Sequence, residues 1–171
     1  MTNPSIDFRN NTIQSLKQFG FKGFISIEEL IMNKVLIPEV RGVYIIYQEK
    51  PQPKFVEKGT GGFFKGKDPN VSVETLNENW VEDSQVLYIG KAGSDIGNAT
   101  LRTRLNQYFQ FGQGKNVGHW GGRFIWQLQQ PTQLKVCWLE TLNHEPREVE
   151  KALLLFYIFE FEKRPFANLK G

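Results

Sequence analysis

The chain has 171 residues, of which 40% are apolar, 13% aromatic and 23% charged, proportions that exclude general disorder and suit one domain with a real core. Its 21 Lys and Arg against 18 Asp and Glu give a net charge of +3, which accommodates a nucleic-acid partner only where cations cluster, as Lys91, Arg102, Arg104, Lys115 and Arg123 partly do. One cysteine, Cys137, and two histidines, His119 and His144, exclude an internal disulfide and a structural zinc site; with no leader-like N-terminus and no run of bilayer length, the expected location is the reducing cytoplasm.

In chain order, Ile6, Phe8, Ile13, Leu16 and Phe19 recur at rough helical spacing and stop at Gly20, which predicts a helix within 5–20. Ser26 followed by Glu29 forms a capping-box pattern opening a short helix over 27–32, and Pro38 closes an N-terminal helical extension, 1–40. The β-branched and aromatic run 42–47 predicts a strand, as does 85–89. Between them, 48–84 holds Pro51, Pro53, a GTGGFFKG stretch and Asp68-Pro69, the turn chemistry of a surface insertion. Its glycines make no phosphate-binding loop, because Gly66-Lys67 is followed by Asp68 where a Ser or Thr is needed. A loop to Asn98 leads to a helix over 99–111, a loop over 112–122, an apolar run over 124–128 and a strand over 134–139. Pro146 opens a last helix that runs through Leu153, Leu154, Tyr157 and Phe161 and stops before Pro165. This order predicts a compact α/β domain with a small mixed sheet.

Several side chains could carry chemistry. Tyr44 and Tyr88 each end a triplet on a strand, a rigid placement for presenting two phenols to one cleft. A phenol of ordinary pKa is only ~0.1% ionised at pH 7, so either Lys91 and Arg104 depress it or a neutral tyrosine passes its proton along a hydrogen-bonded chain. Leu101, Leu105 and Tyr108 define the packed face of their helix, and Arg102 and Arg104 flank it on opposite sides; the pattern alone does not choose between them. Among Glu145, Glu148 and Glu150, helical projection puts Glu150 in line with Leu153, Leu154, Tyr157 and Phe161, with Glu148 on the other side, near the helix N-terminus. HWGGRFIW, 119–126, reads in two ways. It is either a turn that approaches DNA, with Arg123 on the backbone or a base and His119 assisting proton transfer, or a turn into a strand whose Trp126 packs in the core. Cys137, between Val136 and Trp138, reads as inert packing.

GVY at 42–44, VLYIGKAG at 86–93 and TLRTRLNQYF at 100–109 together resemble the GIY-YIG nuclease family, over about residues 41–169. RLNQYF is similar to the nuclease domain of the family's bacterial excision-repair subunit, and that likeness selects Arg104, leaving Arg102 as a surface or DNA-backbone cation. Glu150-Lys-Ala-Leu-Leu resembles the family's Glu-x-x-Leu-Ile, and Pro165-Phe-Ala-Asn168 its Pro-x-x-Asn. The separation of 18 residues between Glu150 and Asn168 is longer than in the repair enzyme, whose register would place Phe156 at the glutamate position. The resemblance implies a small, mainly antiparallel central sheet flanked by helices, and hydrolysis of DNA with one magnesium or manganese ion. It further implies that Tyr44 or Tyr88 relays a proton from water, Lys91 and Arg104 stabilise the phosphate, Glu150 binds the metal and Asn168 orients the site. Two rivals predict different geometry: a non-cleaving nucleic-acid-binding module leaves no carboxylate opposite Arg104, and a protein-interaction domain points Lys91, Arg104 and Arg123 to different faces.

Overall fold

A computed structural model describes residues 5–169. Four strands, β1 (Lys22–Ser26), β2 (Gly42–Tyr47), β3 (Val86–Ala92) and β4 (Lys135–Glu140), form one sheet in the order β1-β4-β2-β3. Every neighbouring pair is antiparallel, so the sheet is antiparallel throughout rather than mixed. The helices are α1 (Thr12–Phe19), α2 (Ile27–Met32), α3 (Val73–Asn79), α4 (Leu101–Gly112) and α5 (Pro146–Phe161).

Alternation along β2 sorts the core into two layers. Tyr44 and Ile46 join Val136 and Trp138 with α2 and α4 on one face, while Val43, Ile45 and Tyr47 join Cys137 with α1 and α5 on the other. All six residues of β2 are buried, as expected of a strand covered on both faces. Burial pushes the Cys137 thiol up, in keeping with a packing role.

Local chemistry sets the helix ends. The Ser26 hydroxyl accepts the Glu29 N–H at the start of α2. Thr100 and Thr103 bond reciprocally at the start of α4, Thr100 Oγ1 accepting the Thr103 N–H and Thr103 Oγ1 the Thr100 N–H. Pro146 begins α5, which ends at Glu162 in the left-handed region.

The N-terminal region is more than a helical extension, because β1 adds a fourth strand to the sheet. β1 reads poorly as a strand because its pairing with β4 shifts register between Gly23 and Ile25, with Phe24 at φ 61°. The insertion is likewise built into the fold. It contains α3, and the buried Gln127 side chain donates to the carbonyls of Val56, Glu57 and Val71 while accepting the Val71 N–H. The apolar run near 124 forms a 3₁₀ turn, Arg123–Gln127, and not a strand, though Trp126 does pack in the core. Among the described residues no helix is long and apolar enough to cross a membrane.

β3 lies at an edge of the sheet, and the segment after α5 returns to cover it. The Ala167 N–H bonds to Leu87 O at 2.8 Å, and the Asn168 amide accepts from Ile89 N at 2.9 Å and donates to Ile89 O at 2.8 Å. A side chain thus stands in for a missing strand along part of the open edge.

Candidate functional site

Register across β2 and β3 places the two tyrosines on the α4 face of the sheet. Tyr44 pairs with Gly90 and Tyr88 with Ile46, and the rings sit 6.0 Å apart between centroids. Gly90 is required by this arrangement, because a Cβ there would lie 2.5 Å from Tyr44 Cζ. Gly42 serves similarly at the start of β2, where a Cβ would come within 2.3 Å of the Leu139 carbonyl oxygen. Lys91 pairs with Val43, whose face packs against α5, so its stem starts from the opposite side of β3. Arg104 comes from the first turn of α4 and Glu150 from the N-terminal half of α5. The five side chains line one cleft of about 430 Å³, whose remaining wall includes the 93–99 loop and Gln107. The cleft therefore straddles β3, with phenols and guanidinium from one layer and ammonium and carboxylate from the other.

Its electrostatics suit an anion. Lys91 and Arg104 give two positive charges against one negative charge from Glu150, and among the described residues the Arg104 side chain makes only a long bond, 3.4 Å, to Gln107 Oε1. Among the described residues Glu150 belongs to no ion pair. Burial raises its pKa above the usual glutamate range, outweighing the pull of Lys91, Arg104 and Arg147. Burial also raises both phenols, Tyr88 to about 12 and Tyr44 well above its ordinary value, and Arg104 offsets this only in part. Of the two routes open to a tyrosine, the cleft therefore favours the neutral one. The proximity of Tyr88 adds to the burial that raises Tyr44.

The competing carboxylates lie elsewhere. Glu145 caps α5 and accepts the Asp95 N–H at 2.9 Å, holding the loop beside the cleft, and Glu148 is exposed. Phe156, the position of the tighter register, is 58% exposed and lines a separate groove on the far side of α5. Asn168 does not line the cleft; its amide is bonded to the backbone of β3 one residue from Tyr88.

Three residues expected to contact nucleic acid are placed otherwise. Arg102 donates to Ile37 O at 2.8 Å and Val35 O at 3.3 Å and pairs with Glu39 at 2.6 Å, so its guanidinium fastens α4 to the segment before β2. His119 is fully buried against the Tyr108 ring, 4.4 Å between centroids, with neither nitrogen partnered among the described residues. Burial pushes it down to about 3, so it is neutral and out of reach of a surface ligand. Arg123 lies outside the cleft, its guanidinium stacked 4.6 Å over Trp120 and 5.4 Å over Phe124.

Sequence reasoning did not single out Gln107, Ser94 or Asn98, all of which line the cleft. Gln107 had a signal, since it lies three residues after Arg104 on the same helix. No group of three or more His, Cys, Asp or Glu side chains able to hold a metal occurs among the described residues. Glu150 is the one carboxylate lining the cleft among the described residues, and magnesium commonly takes one or two carboxylates while waters and substrate phosphate supply the rest. The donor set thus fits a substrate-assisted ion and not an all-protein cage. Compared with known proteins, the chain matches no protein-family model, no curated protein and no solved structure.

Proposed function

We propose that the protein is a metal-dependent endonuclease of GIY-YIG type that hydrolyses DNA phosphodiester bonds. The observation that carries this reading is the convergence of Tyr44, Tyr88, Lys91, Arg104 and Glu150 on one cleft, from four different elements and both layers of the fold. The motif resemblance supplies the reaction class and the geometry supplies the parts.

In this reading Arg104 and Lys91 bind the phosphate and stabilise the charge that grows on its oxygens as water attacks. Tyr88 meets the attacking water. Its oxygen takes a proton from the water as its own proton passes to a phosphate oxygen, so no phenolate forms, which agrees with the raised phenols. Tyr44 holds Tyr88 in orientation from behind, and Asn168 fixes the strand that carries it. Glu150 would hold one magnesium or manganese ion, which supplies Lewis acidity toward the phosphate when bound. Glu150 in the same cleft as Arg104 speaks against the non-cleaving module, which was expected to lack that carboxylate.

The test is magnesium-dependent cleavage of single-stranded, duplex and branched DNA by the wild type and by Arg104→Ala and Glu150→Ala. Equal activity in wild type and Glu150→Ala would remove the metal assignment.

A further inference from the structure

From 96 to 139 the chain holds no Asp or Glu, and neither does 58–67 in the insertion. The fold brings these two acid-free stretches together beside the cleft. Gly62 donates its N–H to Phe111 O at 2.9 Å, and a Cβ on it would lie 2.1 Å from the Lys115 carbonyl oxygen. The Lys65 N–H bonds to Asn116 Oδ1 at 3.3 Å, and the Phe64 ring rests against Gly118, where a Cβ would stand 3.4 Å from Phe64 Cζ. The same loop then reaches the tyrosines, since a Cβ on exposed Gly121 would lie 3.3 Å from Tyr88 Oη. Asn116 and Gly121 are five residues apart, so at most about 18 Å of chain joins the insertion to the phenol.

Cations and rings are interleaved along this surface. Lys65, Lys67 and Lys115 are exposed, and with Arg123 they belong to no ion pair among the described residues. Asp68, which follows the second stretch, turns its carboxylate to Asn70. Phe63 keeps 54% of its surface exposed, the Lys65 ammonium sits 5.3 Å over the Phe64 ring, and the Arg123 guanidinium sits over the partly exposed Trp120. An acidic peptide would use the charges and leave the rings bare, and a duplex keeps its bases stacked inside, out of reach of Phe63. A single strand uses both, because its phosphates take the cations while its unpaired bases stack on the rings. We propose that this surface is a track for an unpaired nucleic-acid strand, which passes from the cleft across the 116–121 loop to Phe63, so that the substrate is single-stranded or carries a single-stranded arm. The proposal rests on the DNA-binding part of the reading above and does not require cleavage.

Fluorescence anisotropy of a labelled DNA strand and of its duplex, with the full chain in buffer containing EDTA, tests it. The strand is expected to bind at least about tenfold more tightly than the duplex, and Phe63→Ala to weaken strand binding about tenfold while leaving duplex binding unchanged. Lys65→Gln combined with Lys115→Gln should lower the salt slope of strand binding by about 0.7 for each lysine. Equal affinity for strand and duplex, an unaltered salt slope in the double variant, or a folded Phe63→Ala that binds the strand as tightly as wild type would each overturn the proposal. Cleavage with magnesium separates its failure from that of the nuclease reading. Duplex cleavage that is indifferent to Phe63→Ala would remove the track and keep the nuclease, whereas strand binding through Phe63 without any cleavage would do the reverse. A wild type that binds neither form of DNA would remove both.

Discussion

Gly90 lies directly beneath the ring of Tyr44, in the neighbouring position of the adjacent strand, and has no room for a side chain. The two short motifs are therefore one structural unit, in which the glycine of the second makes the space that the tyrosine of the first fills. Gly90→Ala should destabilise the fold by about 1–3 kcal/mol through overpacking and tilt Tyr44 away from Tyr88. A lower urea midpoint with unchanged slope is the expected readout; a midpoint equal to wild type would mean the ring adapts freely.

Asn168 makes two hydrogen bonds to the backbone of Ile89 at the open edge of the sheet. Asn168→Ala removes both, at about 1 kcal/mol each, and should speed exchange of the Ile89 amide about 30-fold if the edge opens locally. Hydrogen-exchange mass spectrometry of the peptide covering β3 measures this. Unchanged protection there would show that the edge does not depend on the side chain.

His119 links stability to acid. Its folded pKa of about 3 lies below the ordinary value of 6.5, so the unfolded chain binds the proton more readily. Its contribution is complete above pH 6.5 and declines as pH falls from 6.5 toward 3, with a slope of about 1.4 kcal/mol per pH unit in that window. His119→Phe should flatten the acid limb of the stability curve and cost nothing at pH 7. An imidazole titrating near 6.5 in the folded protein by NMR would contradict the burial argument.

Glu150 bears the opposite sign. Burial raises its folded pKa above that of the unfolded chain, so ionisation costs stability as pH rises from the unfolded value through the folded one. Glu150→Gln removes that cost, and in metal-free buffer at pH 7 it should melt at or slightly above the wild-type temperature. Loss of activity without loss of stability is the pattern expected of a functional carboxylate. A Glu150→Gln protein that melts well below wild type would instead assign the carboxylate to the framework.

Much of this fold is legible from local chemistry. Ser26 with Glu29, Pro146 and the β-branched run of β2 each predict the element they form. β1 was hidden because it is short, interrupted by Gly23 and a left-handed Phe24, and owes its existence to pairing with β4 more than a hundred residues away. The candidate site was legible where helical phase and strand register decide position, as for Glu150 over Glu148 and for the tyrosine pair. It was illegible where tertiary neighbours decide. Arg102 is drawn off by the carbonyls of Val35 and Ile37 and by Glu39, and no pattern within α4 announces them. His119 sits in a polar, glycine-rich stretch that reads as surface, yet the chain folds it onto Tyr108.

The central claim is that the cleft over β3 cuts DNA with the help of a single carboxylate. The most direct measurement is the single-turnover rate of magnesium-dependent DNA cleavage by wild type, Arg104→Ala, Glu150→Gln and Arg102→Ala. Cleavage by wild type, losses of about 10²–10³-fold in Arg104→Ala and Glu150→Gln, and a near-wild-type rate in folded Arg102→Ala are predicted. A wild type inert on every DNA form with both magnesium and manganese, or a Glu150→Gln protein as fast as wild type, would contradict the account.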